Sequence, residues 1–377
     1  MIIISKIHRY YGPVGIKAGL GFVKHRIDVH RHGTKKYIGN AEEICKQAVD
    51  DCWNGNFFQG SSGHFHQFWA RDFGMCTQAL LNQGHEAKVE KTLENVLPIY
   101  ERNKHITTTI FDGSKPMDIF EYSADSLPFI VRSLRLADAQ NMIKRHHSFL
   151  QAEINDYFNT ILDKKRGIVR TDRNFSSAKD SGLRQSSGYN NAMVVMLSKE
   201  IDKLEIFDNP FESYNLTEIF KENFWTGEFI LDDLSGYQNV SGDANSFPFW
   251  LGVMDSTDML EKTIETVQHV GLDKPFPLKY ELKRMPEREN FVARNFLKDY
   301  ISTTNWTQIG AVWIDTVSRV KPSLAKHYIE QYTELIERNQ NYFELFYPDR
   351  EVFKTPLYHA DEGMLWSAMF LDILRRR

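Results

Sequence analysis

The sequence is short of cysteine, of long apolar runs and of net charge, and these shortages exclude several classes of protein. Its 377 residues include three cysteines, which are too few for a disulfide framework and lack the spacing of a zinc site. No stretch reaches the roughly 20 apolar residues of a transmembrane helix, and the N-terminus does not have the pattern of a signal peptide. The formal net charge is −4. We therefore expect a soluble globular protein of the cytoplasm without a membrane partner.

Aromatic residues, in contrast, are abundant, with 26 Phe, 16 Tyr and 7 Trp. They can fill a large hydrophobic core, or some of them can line a cleft as flat platforms for a ligand. The composition leaves both interpretations open.

The basic residues are concentrated at the N-terminus. Residues 1–40 contain eight Lys or Arg and one Asp, whereas the remaining chain has an excess of acidic residues. Ile2–Ile4 and Phe22–Val29 are strand candidates that glycine and proline separate, so we predict a short, basic, β-like extended arm over 1–40. The arm lacks the aromatic interleaving typical of nucleic-acid binding, which favours docking on the acidic body over a nucleic-acid partner.

From Asn40 onward, apolar residues recur at three- and four-residue spacing, which predicts twelve helices. The predicted ranges are 41–53, 72–83, 86–102, 124–138, 140–162, 189–206, 212–224, 244–255, 257–270, 305–320, 322–339 and 361–375.

The links between these helices alternate strictly between short and long. Short links such as 84–85 and 256 predict antiparallel hairpins, whereas long ones such as 54–71 and 340–360 are typical of functional loops. Six hairpins closed into a ring would place every long loop on one face. The sequence therefore predicts an all-α fold, an (α/α)6 toroid over 41–377. Its even-numbered helices are more apolar, and we predict that they form the inner ring.

The long loops carry residues suited to binding a sugar. One such set stands at the start of the second helix and consists of Trp69, Arg71 and Asp72. The indole ring of Trp69 can cover a pyranose, and Arg71 and Asp72 can bind adjacent hydroxyls of the sugar. A helix cap beside a core tryptophan is the alternative. Asp125, before the fourth helix, is either a cap or a further hydroxyl ligand.

Two carboxylates on distant long loops form a candidate catalytic pair, Asp180 and Glu344. Glycoside hydrolysis needs two carboxyl groups across the scissile bond, one donating a proton and one acting on water or on the anomeric carbon. Both residues belong to the same predicted face of the toroid, as this chemistry requires.

Several ordered segments of the chain resemble the six-hairpin glycosidases, in particular the glucoamylase-type and glycogen-debranching (amylo-α-1,6-glucosidase) catalytic domains. The segments are Phe68-Trp69-Ala70-Arg71-Asp72, Tyr122 to Leu127, Phe175 to Lys179, Tyr189 to Ala192, Phe343 to Phe346 and Leu365 to Ala368. The resemblance spans roughly residues 55–375. It implies a glycosidase that needs no cofactor, whose W-x-R-D motif binds the non-reducing-end glucose and whose base is Glu344.

The chain departs from the family pattern at the general acid. Ser177 stands where the W-M-D-A-K motif has its aspartate, so Asp180, three residues later, is the candidate acid. The N-terminal β-sandwich usual in these families has no counterpart in the sequence, which favours a small glycoside over a polysaccharide as the substrate.

Three other loop positions are weaker candidates. Trp306, near the start of an inner helix, is predicted to form an aromatic wall of the cleft. His359 is predicted either to bind substrate or to tune the base. His64 and His66 are spaced i, i+2 without a third ligand, so no metal site is predicted there.

The function expected from these features is an inverting glycoside hydrolase that acts from the chain end of an α-glucoside or a similar small carbohydrate. An inverting sugar phosphorylase on the same fold, and a carbohydrate-binding toroid that has lost catalysis, are the alternatives. The sequence predicts neither the sugar and its linkage nor the oligomeric state.

Overall fold

The structure is a computed structural model that describes residues 19–376, and helices dominate it. All twelve predicted helices are present, numbered here α1 to α12, with α5 divided into two segments. Their bounds are Ala41–Asp51, Ala70–Asn82, Glu86–Asn103, Ser126–Leu136, Gln140–Arg145 with His147–Ile161, Gly188–Leu204, Leu216–Phe224, Gly242–Trp250, Thr257–Val270, Thr307–Ser318, Pro322–Asn339 and Ser367–Arg375. Two short helical segments, Pro286–Arg288 and Phe291–Phe296, lie in the long loop before α10.

The even-numbered helices form a closed inner ring. Each of them contacts the next, and α12 returns to contact α2. Helix α8 buries every residue except Trp250, whereas the odd-numbered helices bury one face. Helices α2 and α4 approach closely at Gly74, where an added Cβ would lie 2.3 Å from the Cβ of Phe129. The predicted (α/α)6 toroid with its apolar inner ring is confirmed.

Short antiparallel strands fix the loops that lead into the inner helices. The strands β1 to β7 are Phe68–Trp69, Thr109–Phe111, Lys115–Met117, Leu162–Asp163, Ile168–Val169, Asn305–Trp306 and Leu345–Phe346. The order β1-β2-β3 forms one sheet, and β4-β5 and β6-β7 form two-stranded sheets. Strand β1 runs directly into α2 and β6 runs directly into α10, so pairing of these strands sets where the two helices begin.

Most of the aromatic residues belong to a single hydrophobic core, as one of the two interpretations predicted. Trp313, Tyr100, Tyr157 and Tyr189 are among its largest fully buried side chains. The three cysteines are free and buried. Among residues 19–376, no helix combines the length and the apolar character needed to cross a lipid bilayer.

The strand predicted over Phe22–Val29 is wrong, because residues 19–32 are helical. We call this segment the N-terminal helix. Its positions 22, 25, 26 and 29 are partly buried, and this i, i+3, i+4, i+7 spacing is that of one helical face. Arg26 Nε on this face donates to the carbonyl of Thr355 at 3.2 Å. The strand candidate Ile2–Ile4 lies outside the described residues.

Candidate active site

The side chain of Arg71 joins two aspartates at the start of α2. Its Nε donates to Asp125 Oδ2 at 2.7 Å, and its Nη2 and Nη1 donate to the two Asp180 carboxylate oxygens at 2.8 and 3.3 Å. Arg71 and Asp125 are buried, whereas the side chain of Asp180 keeps 21% of its surface exposed. Charge-assisted bonds of this fork geometry fix the relative positions of all three groups.

Asp125 precedes α4 but does not cap it, since its side chain accepts no hydrogen bond from the first turn. Its carboxylate instead accepts from Ser123 Oγ and from the Tyr189 hydroxyl, both at 3.0 Å. Asp72, in the first turn of α2, is not the N-cap residue, because Trp69 occupies that position. Burial raises the pKa of Asp72 to about 7, against the opposing effect of Arg71.

Asp180 is brought to this cluster by a bridge between two long loops. Ser123 and Ser176 pair as a parallel β-bridge, and Ser176 Oγ donates to Asp180 Oδ1 at 2.5 Å. Burial and the neighbouring carboxylate of Asp125 raise the pKa of Asp180 above its usual range, whereas Arg71 opposes them. The structure thus brings three sequence-predicted residues, Arg71, Asp125 and Asp180, into direct contact.

Glu344 lies immediately before β7 and is held by neutral donors. Its Oε1 accepts from the Tyr300 hydroxyl at 2.5 Å, and its Oε2 accepts from the Tyr358 hydroxyl at 2.6 Å and the Asp361 amide at 3.0 Å. The residue is 1% exposed. Burial raises the pKa of Glu344 to about 8, because the three hydrogen bonds offset only part of the desolvation.

Tyr300 links the two carboxylate clusters. It donates to Glu344 and also interacts electrostatically with Asp180. Asp72 interacts with Asp180 in the same way. Arg71, Asp72, Asp125 and Asp180 thus lie together, with Tyr300 between this group and Glu344 in the network of interactions.

The predicted aromatic positions have different surroundings. Trp69 is half-buried and packs edge-on against Phe65, with ring centroids 5.2 Å apart. Trp306 is buried behind Tyr300, to whose carbonyl its indole nitrogen donates at 2.7 Å. His359 is buried with Nδ1 2.8 Å from the Ala360 carbonyl, and burial lowers its pKa to about 4. Trp69 is therefore the more accessible of the two predicted tryptophan walls.

Sequence reasoning missed Tyr300 and Tyr358, the two tyrosines whose hydroxyls donate to Glu344. Both lie in long loops, and no spacing in the sequence distinguishes them from other loop tyrosines. The signal that singles them out is the convergence of their hydroxyls on one carboxylate, which only the folded chain contains.

A second missed feature is a buried ion network next to the candidate acid. Lys179 Nζ lies 2.6 Å from Glu281 Oε1, and Arg184 Nη1 lies 3.2 Å from Asp232 and 2.6 Å from Asp243. The members come from three long loops and from the first turn of α8, so the network ties these loops to the inner ring. Its charges are paired with one another, which is the arrangement that buried charges need.

These features define the class of fold to which the molecule belongs. Six helix hairpins closed into a double ring, with paired carboxylates on the loop face, form the (α/α)6 toroid known from glycosidases.

Comparison with solved structures gives particular neighbours of this fold. A rhamnosidase from Klebsiella oxytoca with rhamnose bound has a TM-score of 0.63 at 12% identity, covering 91% of this chain and 66% of that chain. A glycosidase variant in complex with glucose has a TM-score of 0.64 at 12% identity, covering 89% and 96%. A GH63 mannosylglycerate hydrolase from Thermus thermophilus with Tris and D-glycerate has a TM-score of 0.59 at 12% identity, covering 89% and 100%. In sequence, no family model and no curated protein gives a significant match.

Proposed function

We propose that this protein is a glycoside hydrolase that acts from the chain end of an α-glucoside or a similar small glycoside. The observation that carries the proposal is that two carboxylates, the partly exposed Asp180 and the buried Glu344, lie in long loops that precede inner helices of an (α/α)6 toroid. Neighbours of the same fold with rhamnose or glucose bound support a carbohydrate substrate.

The proposed mechanism is a single displacement with inversion at the anomeric carbon. Asp180, whose pKa is raised, protonates the leaving oxygen, and Glu344 removes a proton from the attacking water. Glu344 must be ionised for this step, so activity requires that its buried carboxyl lose a proton whose pKa is about 8. The hydroxyls of Tyr300 and Tyr358 stabilise the anionic form that results.

The remaining predicted residues have proposed roles in binding the terminal sugar. Arg71, Asp72 and Asp125 offer charged donors and acceptors for adjacent hydroxyls, and Trp69 offers a half-exposed aromatic face. Trp306, buried behind Tyr300, would support the wall without touching the sugar. His359 is neutral at physiological pH because burial lowers its pKa to about 4, so its proposed role is hydrogen bonding to substrate.

We place the leaving group of the substrate next to the loop that contains Asp180. A cavity of about 410 Å³ opens there, lined by residues that include Arg184, Arg288 and Tyr237. Asn174 and Arg184, which line it, belong to the same loop as Asp180. The free, buried cysteines support the proposal of a reducing compartment, namely the cytoplasm.

The proposal is tested by incubating the purified chain with aryl and disaccharide α- and β-glycosides of glucose, mannose and rhamnose. We expect release of a monosaccharide from one member of the panel, with inverted configuration in the first product observed by NMR. On a disaccharide, whose leaving group needs a proton, Asp180→Asn and Glu344→Gln should each lower release by about 10³-fold or more while the circular dichroism spectrum is unchanged.

Three other outcomes of this experiment would contradict parts of the proposal. Release that depends on inorganic phosphate identifies a phosphorylase. Saturable sugar binding without any release identifies a carbohydrate-binding toroid. A first product of retained configuration shows that one carboxylate is a nucleophile instead of a base.

A further inference from the structure

Three potential metal ligands meet where the N-terminal helix crosses the loop face of the toroid. They are His25 Nε2 on that helix, His64 Nδ1 in the loop before α2, and Asp361 Oδ1 in the loop before α12. The three atoms lie within 4.8 Å of one another. His64 Nδ1 is 3.3 Å and His25 Nε2 is 3.9 Å from Asp361 Oδ1.

The two imidazole nitrogens are buried and unpartnered. Among residues 19–376, neither His25 Nε2 nor His64 Nδ1 has a hydrogen-bond partner. The side chain of His64 is 3% exposed and that of Asp361 is fully buried. A buried polar atom without a partner costs about 1–3 kcal/mol, so two of them aimed at one carboxylate oxygen require an explanation.

A divalent transition-metal ion supplies that explanation. Metal–nitrogen and metal–oxygen bonds of about 2.1 Å place tetrahedral ligand atoms about 3.4 Å apart. The 3.3 Å separation matches this value. The 3.9 Å separation, and the separation of up to 4.8 Å between the two imidazole nitrogens, require His25 to move inward when the ion binds. Two imidazoles and one carboxylate suit Zn²⁺ and its neighbours in the first transition row, and they do not suit Mg²⁺ or Ca²⁺.

The carboxylate of Asp361 is held in place for this role. The hydroxyl of Ser61 and the amides of His64, Phe65 and Glu362 all donate to it, which fixes its orientation toward the two imidazoles.

We propose that His25, His64 and Asp361 form a binding site for Zn²⁺ or a similar divalent transition-metal ion, which fastens the N-terminal helix to the loop face. Spacing along the sequence pairs His64 with His66 and indicates no third ligand. In the folded chain, His66 is exposed and its Nδ1 lies 3.1 Å from the Gly63 carbonyl. The histidine that lies beside His64 is instead His25, from a distant part of the chain.

The site has a consequence for Glu344 that rests on the proposed function. With Nδ1 of His64 on the metal, its Nε2 must carry the proton. His64 Nε2 lies 3.2 Å from the Tyr358 hydroxyl, which donates to Glu344 at 2.6 Å. The ion would therefore fix the direction of a hydrogen-bond chain that ends on the candidate base, with His64 as a positioning residue.

The test uses the full chain without a histidine tag, stripped with a chelator and dialysed. Titration with Co²⁺ should give visible d–d absorption bands of a low-coordinate site that saturate at one ion per chain. Calorimetric titration with Zn²⁺ should give the same stoichiometry, and Zn²⁺ should raise the melting temperature.

Two variants and two matched controls assign the site. His25→Ala and His64→Ala should each weaken Zn²⁺ binding by about 100-fold or more, since loss of an outer-shell partner alone costs 10–100-fold. His30→Ala and His32→Ala, at exposed positions of the same helix, should bind as the wild type does. His25→Ala keeps the test valid if the deeply buried His64 cannot be replaced without unfolding.

The proposal is overturned if the stripped chain binds neither Zn²⁺ nor Co²⁺ stoichiometrically, or if His25→Ala binds them with wild-type affinity. Neither result depends on hydrolysis of a glycoside. If the chain hydrolyses a glycoside but binds no metal, only this inference fails. If it binds the metal but hydrolyses no glycoside, only the proposed function fails.

Discussion

On one side of the candidate site Asp180 is held by the guanidinium of Arg71, whereas on the other side Glu344 is held by two tyrosine hydroxyls and a backbone amide. Burial raises the pKa of both carboxyl groups. On the Asp180 side a cation opposes this effect, but every donor to Glu344 is neutral. The deeper burial of Glu344, with no cation to oppose it, therefore raises its pKa to about 8.

This difference shows how one face of a toroid can give two carboxylates different chemistry. The Asp180 side is rigidly positioned by ion pairs, and its geometry depends on Arg71. The Glu344 side depends on hydroxyl groups whose contribution is largest when the carboxylate is charged. Mutations on the two sides should therefore differ in their measurable effects. Three predictions use the dependence on the leaving group, the free energy of unfolding and the pH–rate profile to detect the difference.

The largest expected effect separates the two carboxylates by their dependence on the leaving group. Glu344→Gln should lower the rate by about 10³- to 10⁴-fold, within the upper range for a lost general base, on both an alkyl glycoside and a dinitrophenyl glycoside. Asp180→Asn should lower it as much on the alkyl glycoside but far less on the dinitrophenyl glycoside, which needs no proton to leave. Steady-state kinetics on the two substrates provide the measurement. Equal losses of Asp180→Asn on both substrates would contradict its role as the acid.

The second prediction concerns the stability of the ion-paired side. Arg71→Leu leaves Asp125 buried and without its cation, which should cost about 3–5 kcal/mol in the free energy of unfolding. Most of this loss should come from Asp125, because Asp180 is partly exposed and solvent screens its charge. Urea denaturation followed by circular dichroism provides the measurement.

Two matched variants sharpen the result for Arg71. Adding Asp125→Asn to Arg71→Leu removes the buried charge and should restore part of the lost stability. Arg170→Leu breaks a surface pair with Asp172 and should change stability little. If Arg71→Leu proves no more destabilising than Arg170→Leu, the buried ion pairs do not hold this side of the site.

Much of the fold could be predicted from the sequence, because helix periodicity and link length are local properties. The twelve helices follow from apolar spacing, and the alternation of short and long links indicates the ring. The error over Phe22–Val29 has a local cause as well. Its spacing of partly buried residues is helical, but the flanking glycines and β-branched residues suggested a strand.

The site was predictable only where its residues stand beside recognisable segments. Arg71, Asp125 and Glu344 adjoin the starts of inner helices or strands, and their positions follow from the topology. Tyr300 and His25 contribute through contacts across distant loops, which no periodicity records. Their roles depend on how the loops close over the face, which is a property of tertiary packing.

The third prediction tests the side held by neutral donors and has the smallest expected effect. Tyr358→Phe removes a hydroxyl that favours the ionised form of Glu344, so the pKa of Glu344 should rise further above 8. If Glu344 is the base, activity rises with pH through this pKa, and the variant should move the rising limb to higher pH. A hydrogen bond to a charged group contributes about 1.5–3 kcal/mol, so activity at pH 7 should fall by about 10- to 100-fold.

The pH–rate profile of Tyr358→Phe is compared with that of Tyr347→Phe, whose hydroxyl in the same loop donates to the Lys354 carbonyl and not to Glu344. The control should keep the wild-type profile. Because an acid must be protonated to act, a Glu344 acid would instead lose activity as pH rises, and Tyr358→Phe would then extend activity to higher pH. Both cases move a limb to higher pH, so the limb that moves decides the assignment: a shifted rising limb identifies Glu344 as the base, and a shifted falling limb identifies it as the acid.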